Sequence, residues 1–158
     1  MVTRGARLAF ALAPVLAAIA VGCATGPGIH GVVGRAGGGE LASGDGSLAF
    51  PPYSFADDDV FVEMNAVNLD GLRAGLGSAL IGGIDFDIVA NQTLLTPAVA
   101  EFRLSRPQSC GAHLNVYHQG ADGRFTLMGN AIVGNDAARA SYRNITEEGL
   151  WVVLVGGG

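Results

Sequence analysis

The chain has 158 residues, 25 of them Gly, with 49% hydrophobic and only 15% charged residues. All nine basic residues are Arg, and 14 acids leave a net charge of −5. This composition excludes a solvated disordered chain, which needs low hydropathy and high charge, and it argues against nucleic-acid binding, which needs clustered cations against phosphates. Two Cys build neither a disulfide scaffold nor a four-Cys zinc site.

The N-terminus reads as an address. Arg4 and Arg7 precede the uncharged run LAFALAPVLAAIAVG at 8–22, too short to cross a bilayer comfortably and interrupted by Pro14. The run ends in Ala20-Val21-Gly22-Cys23, which resembles the lipobox of bacterial lipoproteins. The resemblance implies removal of residues 1–22 and a lipidated Cys23 (palmitate among the acyl chains) as the new N-terminus. Each buried CH₂ is worth about 0.8 kcal/mol, so several chains hold where one holds marginally. The alternatives are an ordinary signal peptide cut nearby and an apolar helix inside a globular core. Ala24 stands where the enteric sorting rule places an Asp for inner-membrane retention, so the outer membrane is favoured. The mature chain would keep 7 Arg against 14 acids, which leaves no basic patch to attract anionic lipid.

Residues 23–46 read as a Gly-rich tether. Nine of the 21 residues from 26 to 46 are Gly, and such a coil reaches on the order of 25 Å. His30 within it is expected to be solvated.

From residue 47 onward, short apolar runs are broken by Gly, Asn, Asp and Pro. They predict strands over 60–67, 84–90, 98–105, 113–119, 124–133, 137–145 and 150–155. Ile84, Phe86 and Ile88 alternate with Asp85 and Asp87; Ala100, Phe102 and Leu104 alternate with Glu101 and Arg103. Period two places one set on each face of a sheet. The last run, LWVVLV, is apolar on both faces and reads as a central strand with Trp151 at least half buried. Turn chemistry stands at 120–123, 134–136 and 146–149. Only 70–80 could be helical, against the cost of Gly71, Gly75 and Gly77. The expected fold is all-β: a single antiparallel β-sandwich of Ig-like or Greek-key type over 47–158.

The segments IDFDIVANQTLLTPAVAEFRLSRP and LNVYHQGADGRFTLMGNAIVGNDAARASYRNITEEGLWVVL resemble netrin-receptor/zonula-occludens-type extracellular modules. That resemblance is a pattern of apolar positions and implies a surface β-sandwich. Some members of the family cleave themselves at a His-Phe-Ser corner. Asn144-Ile145-Thr146 stands there in this chain, so no autoproteolysis is implied.

Chemistry is sparse. No G-x-S-x-G, H-E-x-x-H or Walker A fingerprint occurs. His113 and His118 are five apart on one strand and point to opposite faces, poor geometry for one metal. Their bland reading is two exposed or half-buried strand histidines. Cys110, with His113 nearby, could form a thiol nucleophile; the ordinary reading is a small buried hydrophobe. Asp57, Asp58 and Asp59 are the calcium candidates, against the reading of a solvated charge block. Asp85 and Asp87 share a strand face and could pair as hydrolytic acids. The sequons at Asn91 and Asn144 are chance matches in a bacterial lipoprotein.

The expected protein is a non-catalytic, envelope-anchored binding or scaffolding module without a cofactor. It would meet the membrane through its lipid and an envelope protein or glycan through the loops 91–96 and 120–123. The alternative is a small envelope hydrolase or inhibitor using Cys110 or the acids.

Overall fold

The computed structural model describes residues 28–89 and 92–156. The leader and Cys23 lie outside the described residues, as does Asn91. The elements are β1 (Ile29–Val33), β2 (Gly39–Ala42), β3 (Gly46–Phe50), β4 (Val60–Asn65), α1 (Leu69–Leu76), β5 (Leu80–Ile88), β6 (Ala98–Arg103), β7 (His113–Gln119), β8 (Phe125–Val133), β9 (Arg139–Ile145) and β10 (Gly149–Val155). All ten strands join one antiparallel sheet in the order β1-β4-β5-β10-β7-β8-β9-β6-β3-β2. The two end strands return to each other through the Gly34–Gly38 bridge, so the sheet is nearly barrel-shaped. The all-β antiparallel class is as expected; the strands follow one continuous order where two sheets were predicted.

Period-two patterning builds most of the wall. Ile84, Phe86 and Ile88 of β5 are buried, as are Ala100, Phe102 and Leu104 in and just after β6. Trp151, Val152 and Val153 of β10 are fully buried, and β10 sits in the interior of the order between β5 and β7. One hydrophobic cluster runs through the interior, with Phe50 packed edge-on against Phe86 at 6.2 Å. The short helix α1 starts at Asn68, whose Oδ1 accepts from the Gly71 amide at 3.0 Å, and ends at Gly77.

Two expectations need correction. The tether expected over 23–46 contains β1 and β2 and ends on the first residue of β3. These strands pair fully: β1 with β4 from Ile29↔Met64 to Val33↔Val60, and β2 with β3 from Gly39↔Phe50 to Ala42↔Ser47. Val33 and Leu41 enter the core, so the folded unit begins well before residue 47. Glycine richness hid this. A short strand needs only one inward apolar residue, and its neighbours can be glycine when another backbone or side chain comes close. A Cβ on Gly31 would meet Leu41 Cγ at 2.8 Å. The second correction is at β5, which begins at Leu80 rather than 84. Gly82 and Gly83 lie inside the strand, where a Cβ on Gly82 would sit 2.9 Å from Val153 Cγ2 and 3.0 Å from the Arg103 carbonyl. Glycine marks close packing there rather than a break.

Antiparallel pairing sorts the connections into two ends. The loops 34–38, 51–59, 120–124 and 146–148 share one end with residue 89 and residues 92–97. Gly28, the turn 43–45, α1 and the loops 104–112 and 134–138 share the other.

Candidate functional site

The loop end gathers most of what the sequence offered separately. Asp57, Asp58 and Asp59 are exposed in the 51–59 loop. The Gln92 amide donates to Asp57 Oδ2 and ties this loop to 92–97. The Leu95 amide donates to the Ser54 carbonyl at 2.8 Å, and Thr96 Oγ1 donates to the Tyr53 carbonyl at 3.3 Å. The described part of the predicted contact loop 91–96, residues 92–96, and the predicted contact loop 120–123 therefore open at the same end as the Asp triplet. Among the described residues no three His, Cys, Asp or Glu side chains converge as a metal site.

An exposed apolar row crosses this end of the wall. Phe61 of β4 faces outward between Val32 of β1, its register partner, and Val89, whose amide donates to the Phe61 carbonyl at 3.0 Å. Phe61 is 57% exposed, and Tyr53 and Leu95 in the adjoining loops are also exposed. The five loops at this end carry Asp57, Asp58, Asp59, Asp122, Glu147 and Glu148 against Arg35 and Arg124. The surface thus combines an apolar row with a strongly acidic surround. No single residue run announces it, because its members come from five separate segments.

The corner 146–148 is held down by what lies beneath it. His118 Nε2 lies 2.9 Å from the Glu148 carbonyl oxygen, and His118 Nδ1 lies 3.3 Å from Glu147 Oε1. Trp151 Nε1 donates to the Glu147 carbonyl at 3.1 Å, and the Ile88 amide donates to Glu148 Oε2 at 2.7 Å. The His118 and Trp151 rings pack at 4.5 Å, tilted by 36°. His118 is buried, which corrects the expectation of an exposed or half-buried ring; His113 is exposed, so the two do point to opposite faces.

Cys110 is exposed rather than buried, in the 104–112 loop at the far end. Its Sγ–H donates to Asn135 Oδ1 at 3.2 Å, not to His113. That loop turns at Gly111 ahead of β7, so the predicted burial fails there. Asp85 and Asp87 share the outer face of β5, bridged by the Asn65 amide at 3.5 Å and 2.9 Å. Asp85 also lines a groove of about 260 Å³ with Val67, Asn68, Leu72 and Leu150. Burial, and then repulsion from Asp87, push its carboxyl above the ordinary carboxylate range.

A second opening lies in the wall itself. β8 and β9 pair only at Ile132↔Ser141 and Val133↔Ala140. Beyond these pairs they separate, although β7 stays paired with β8 up to Gln119↔Phe125 and β6 with β9 up to Ala98↔Ile145. A groove of about 630 Å³ runs along this seam from the paired Ile132 and Ser141 to Asn130, Tyr142, Arg143 and Asn144 beyond them.

No family model matches the chain, and neither a curated protein nor a solved structure matches it.

Proposed function

We propose that this protein is a lipid-anchored envelope module that binds a protein partner through its loop end. The observation that carries the reading is the exposed row Val32, Phe61 and Val89, set in an acidic surround at the end opposite the start of β1. Patches of this kind mark interaction sites, and the acids suit a partner that is apolar at its centre and basic at its rim. The lipobox supports the anchor. Five residues separate Cys23 from Ile29, a span of at most roughly 20 Å. An acylated Cys23 would thus keep the α1 end close to the lipid surface and point the loop end away from it.

The finer fold reading is a flattened barrel, close to the sandwich that the sequence suggests. The two weakly paired seams, β1/β2 and β8/β9, would divide the wall into six strands and four. The spatial order β10-β7-β8-β9 follows the 4-1-2-3 arrangement of a Greek key. The three-residue corner between Ile145 and Gly149 spans at most about 14 Å, enough to cross between layers about 10 Å apart.

Two measurements test the function together. Metabolic labelling with an alkyne fatty acid should mark the native protein and fail with Cys23→Ser. Photo-crosslinking from positions 61 and 95 should give one common adduct, with none from position 73 at the other end. An unlabelled native chain removes the anchor; adducts equally frequent from both ends remove the loop-end site. The hydrolase alternative has one observation on its side, the raised pKa of Asp85 at a groove edge. It requires an activity that Asp85→Asn abolishes while folding is kept.

A further inference from the structure

The opening between β8 and β9 leaves two strand edges facing each other with no ladder between them. On the β9 side, four residues from Tyr142 to Ile145 lie beyond the last pair; on the β8 side, seven lie beyond it, from Phe125 to Ala131. Backbone donors and acceptors along such an edge are a template for another strand. The other weak seam differs. Between β1 and β2 the buried Leu41 side chain packs against Gly31 and fills the gap. Between β8 and β9 the inner side is floored by Tyr142, whose ring comes within 3.2 Å of where a Cβ on Gly129 would stand. Gly129 has φ +151 and follows the register shift between Val116 and Tyr117, which leaves Met128 outside the β7 ladder. The Met128 carbonyl accepts from the Tyr142 hydroxyl at 2.9 Å. A side chain, not a backbone, thus makes the connection where paired strands would stand about 4.8 Å apart.

We propose that this open seam is a docking site for an extended peptide carrying an acidic side chain, which inserts between β8 and β9 as an added strand. The shorter edge limits the insertion to about four residues, roughly 13 Å at strand rise. Because β8 and β9 run antiparallel, the added strand is antiparallel to one and parallel to the other. Main-chain bonds to the two edges supply affinity, and alternate side chains supply selection. At the closed end of the seam the last inserted side chain meets the exposed Ile132. The charge comes from Arg143, exposed on β9 at the groove; its side chain makes neither a hydrogen bond nor an ion pair among the described residues. The seam opens toward the loop end, but it lies several strands along the sheet order from the row Val32, Phe61 and Val89 and stands whether or not that row binds a partner.

The test uses the full-length protein in detergent and a dye-labelled, capped peptide of sequence Ser-Val-Glu-Val-Glu-Ser. Fluorescence anisotropy should show saturable binding, and hydrogen exchange should slow at 128–131 and 143–145. Methylating alternate backbone nitrogens on one edge of the peptide should weaken binding about tenfold, the factor expected from losing one or two main-chain hydrogen bonds. Arg143→Glu, an exposed change, should weaken binding several-fold. Three outcomes overturn the proposal: no saturation at millimolar peptide, affinity unchanged by methylation on either edge, or exchange protection that appears elsewhere. Sedimentation showing that the seam is closed by a second copy of the chain overturns it as well.

Discussion

The hydroxyl of Tyr142 donates to the carbonyl of Met128 at 2.9 Å, across the stretch where β8 and β9 do not pair. Tyr142 is buried, and its ring also lies 6.0 Å from that of Trp151 on β10. One side chain therefore joins the β9 side of the wall to the β8 side and to the interior. Tyr142→Phe keeps the ring and removes the bond. It should cost about 1 kcal/mol in denaturant unfolding, the usual net worth of such a bond. It should also speed exchange at 128–131. A variant as stable as the parent, with unchanged exchange, would show that the bond does not hold the seam.

Trp151 is fully buried, packed against the tilted His118 ring and tied through Nε1 to the Glu147 carbonyl. Trp151→Ala should cost about 3–5 kcal/mol, the range for a large aromatic lost from a core. Leu127→Ala, at a 55% exposed position on β8, should stay within about 0.5 kcal/mol. Equilibrium urea unfolding of both variants checks the contrast.

Asp85 gives a pH dependence of definite sign. Burial, then Asp87, raise its pKa above the ordinary value of 3.8. The folded chain therefore holds this proton more tightly than the unfolded one. The stability it contributes is full below about pH 3.8 and is lost as pH rises through the raised folded value. Asp85→Asn removes that loss and keeps an oxygen for the Asn65 amide. The variant should be more stable than the parent at pH 7, and the difference should shrink as pH falls toward 3.8. A variant less stable at pH 7, with no convergence in acid, would contradict the assigned sign.

Where the sequence alternated, it was legible. His113–Gln119 shows the pattern plainly, with Leu114, Val116 and His118 inward. Ile29–Val33 was not legible, because only Val33 of its five residues is fully buried and glycine occupies the centre. The loop-end surface was half legible. Its loops could be named, but that Asp57, Phe61 and Leu95 share one end follows only from the pairing order. The seam left no trace in the sequence, since 124–133 reads as one uninterrupted strand. A ladder that stops after two pairs is decided by the path of β9 toward β6.

The misread tether supplies its own test. A chain shortened to begin at Ser43 loses β1 and β2 and the buried Val33 and Leu41. Those two side chains alone are worth about 3–6 kcal/mol of burial, against a total stability of roughly 5–15 kcal/mol for ordinary domains. The shortened chain should melt far below the parent or fail to fold, whereas a true tether could be removed without effect. Calorimetry of the two chains decides.

Cys110 closes the set, because the structure reverses the expected environment of its thiol. The side chain is exposed, and its one hydrogen bond runs to Asn135 in the 134–138 turn. A thiol reagent should therefore modify it in the native protein about as fast as in the unfolded chain, where a buried thiol would wait for unfolding. Cys110→Ser keeps a donor for Asn135 at an exposed site and should change stability by less than about 0.5 kcal/mol. It should also leave partner cross-linking from position 61 intact, because the 104–112 loop lies at the opposite end from Phe61. Slow native labelling would mean that the loop packs more tightly than the structure indicates. Loss of the cross-link in Cys110→Ser would mean that the thiol takes part in the protein's function, and would move the envelope-hydrolase reading ahead of the binding module.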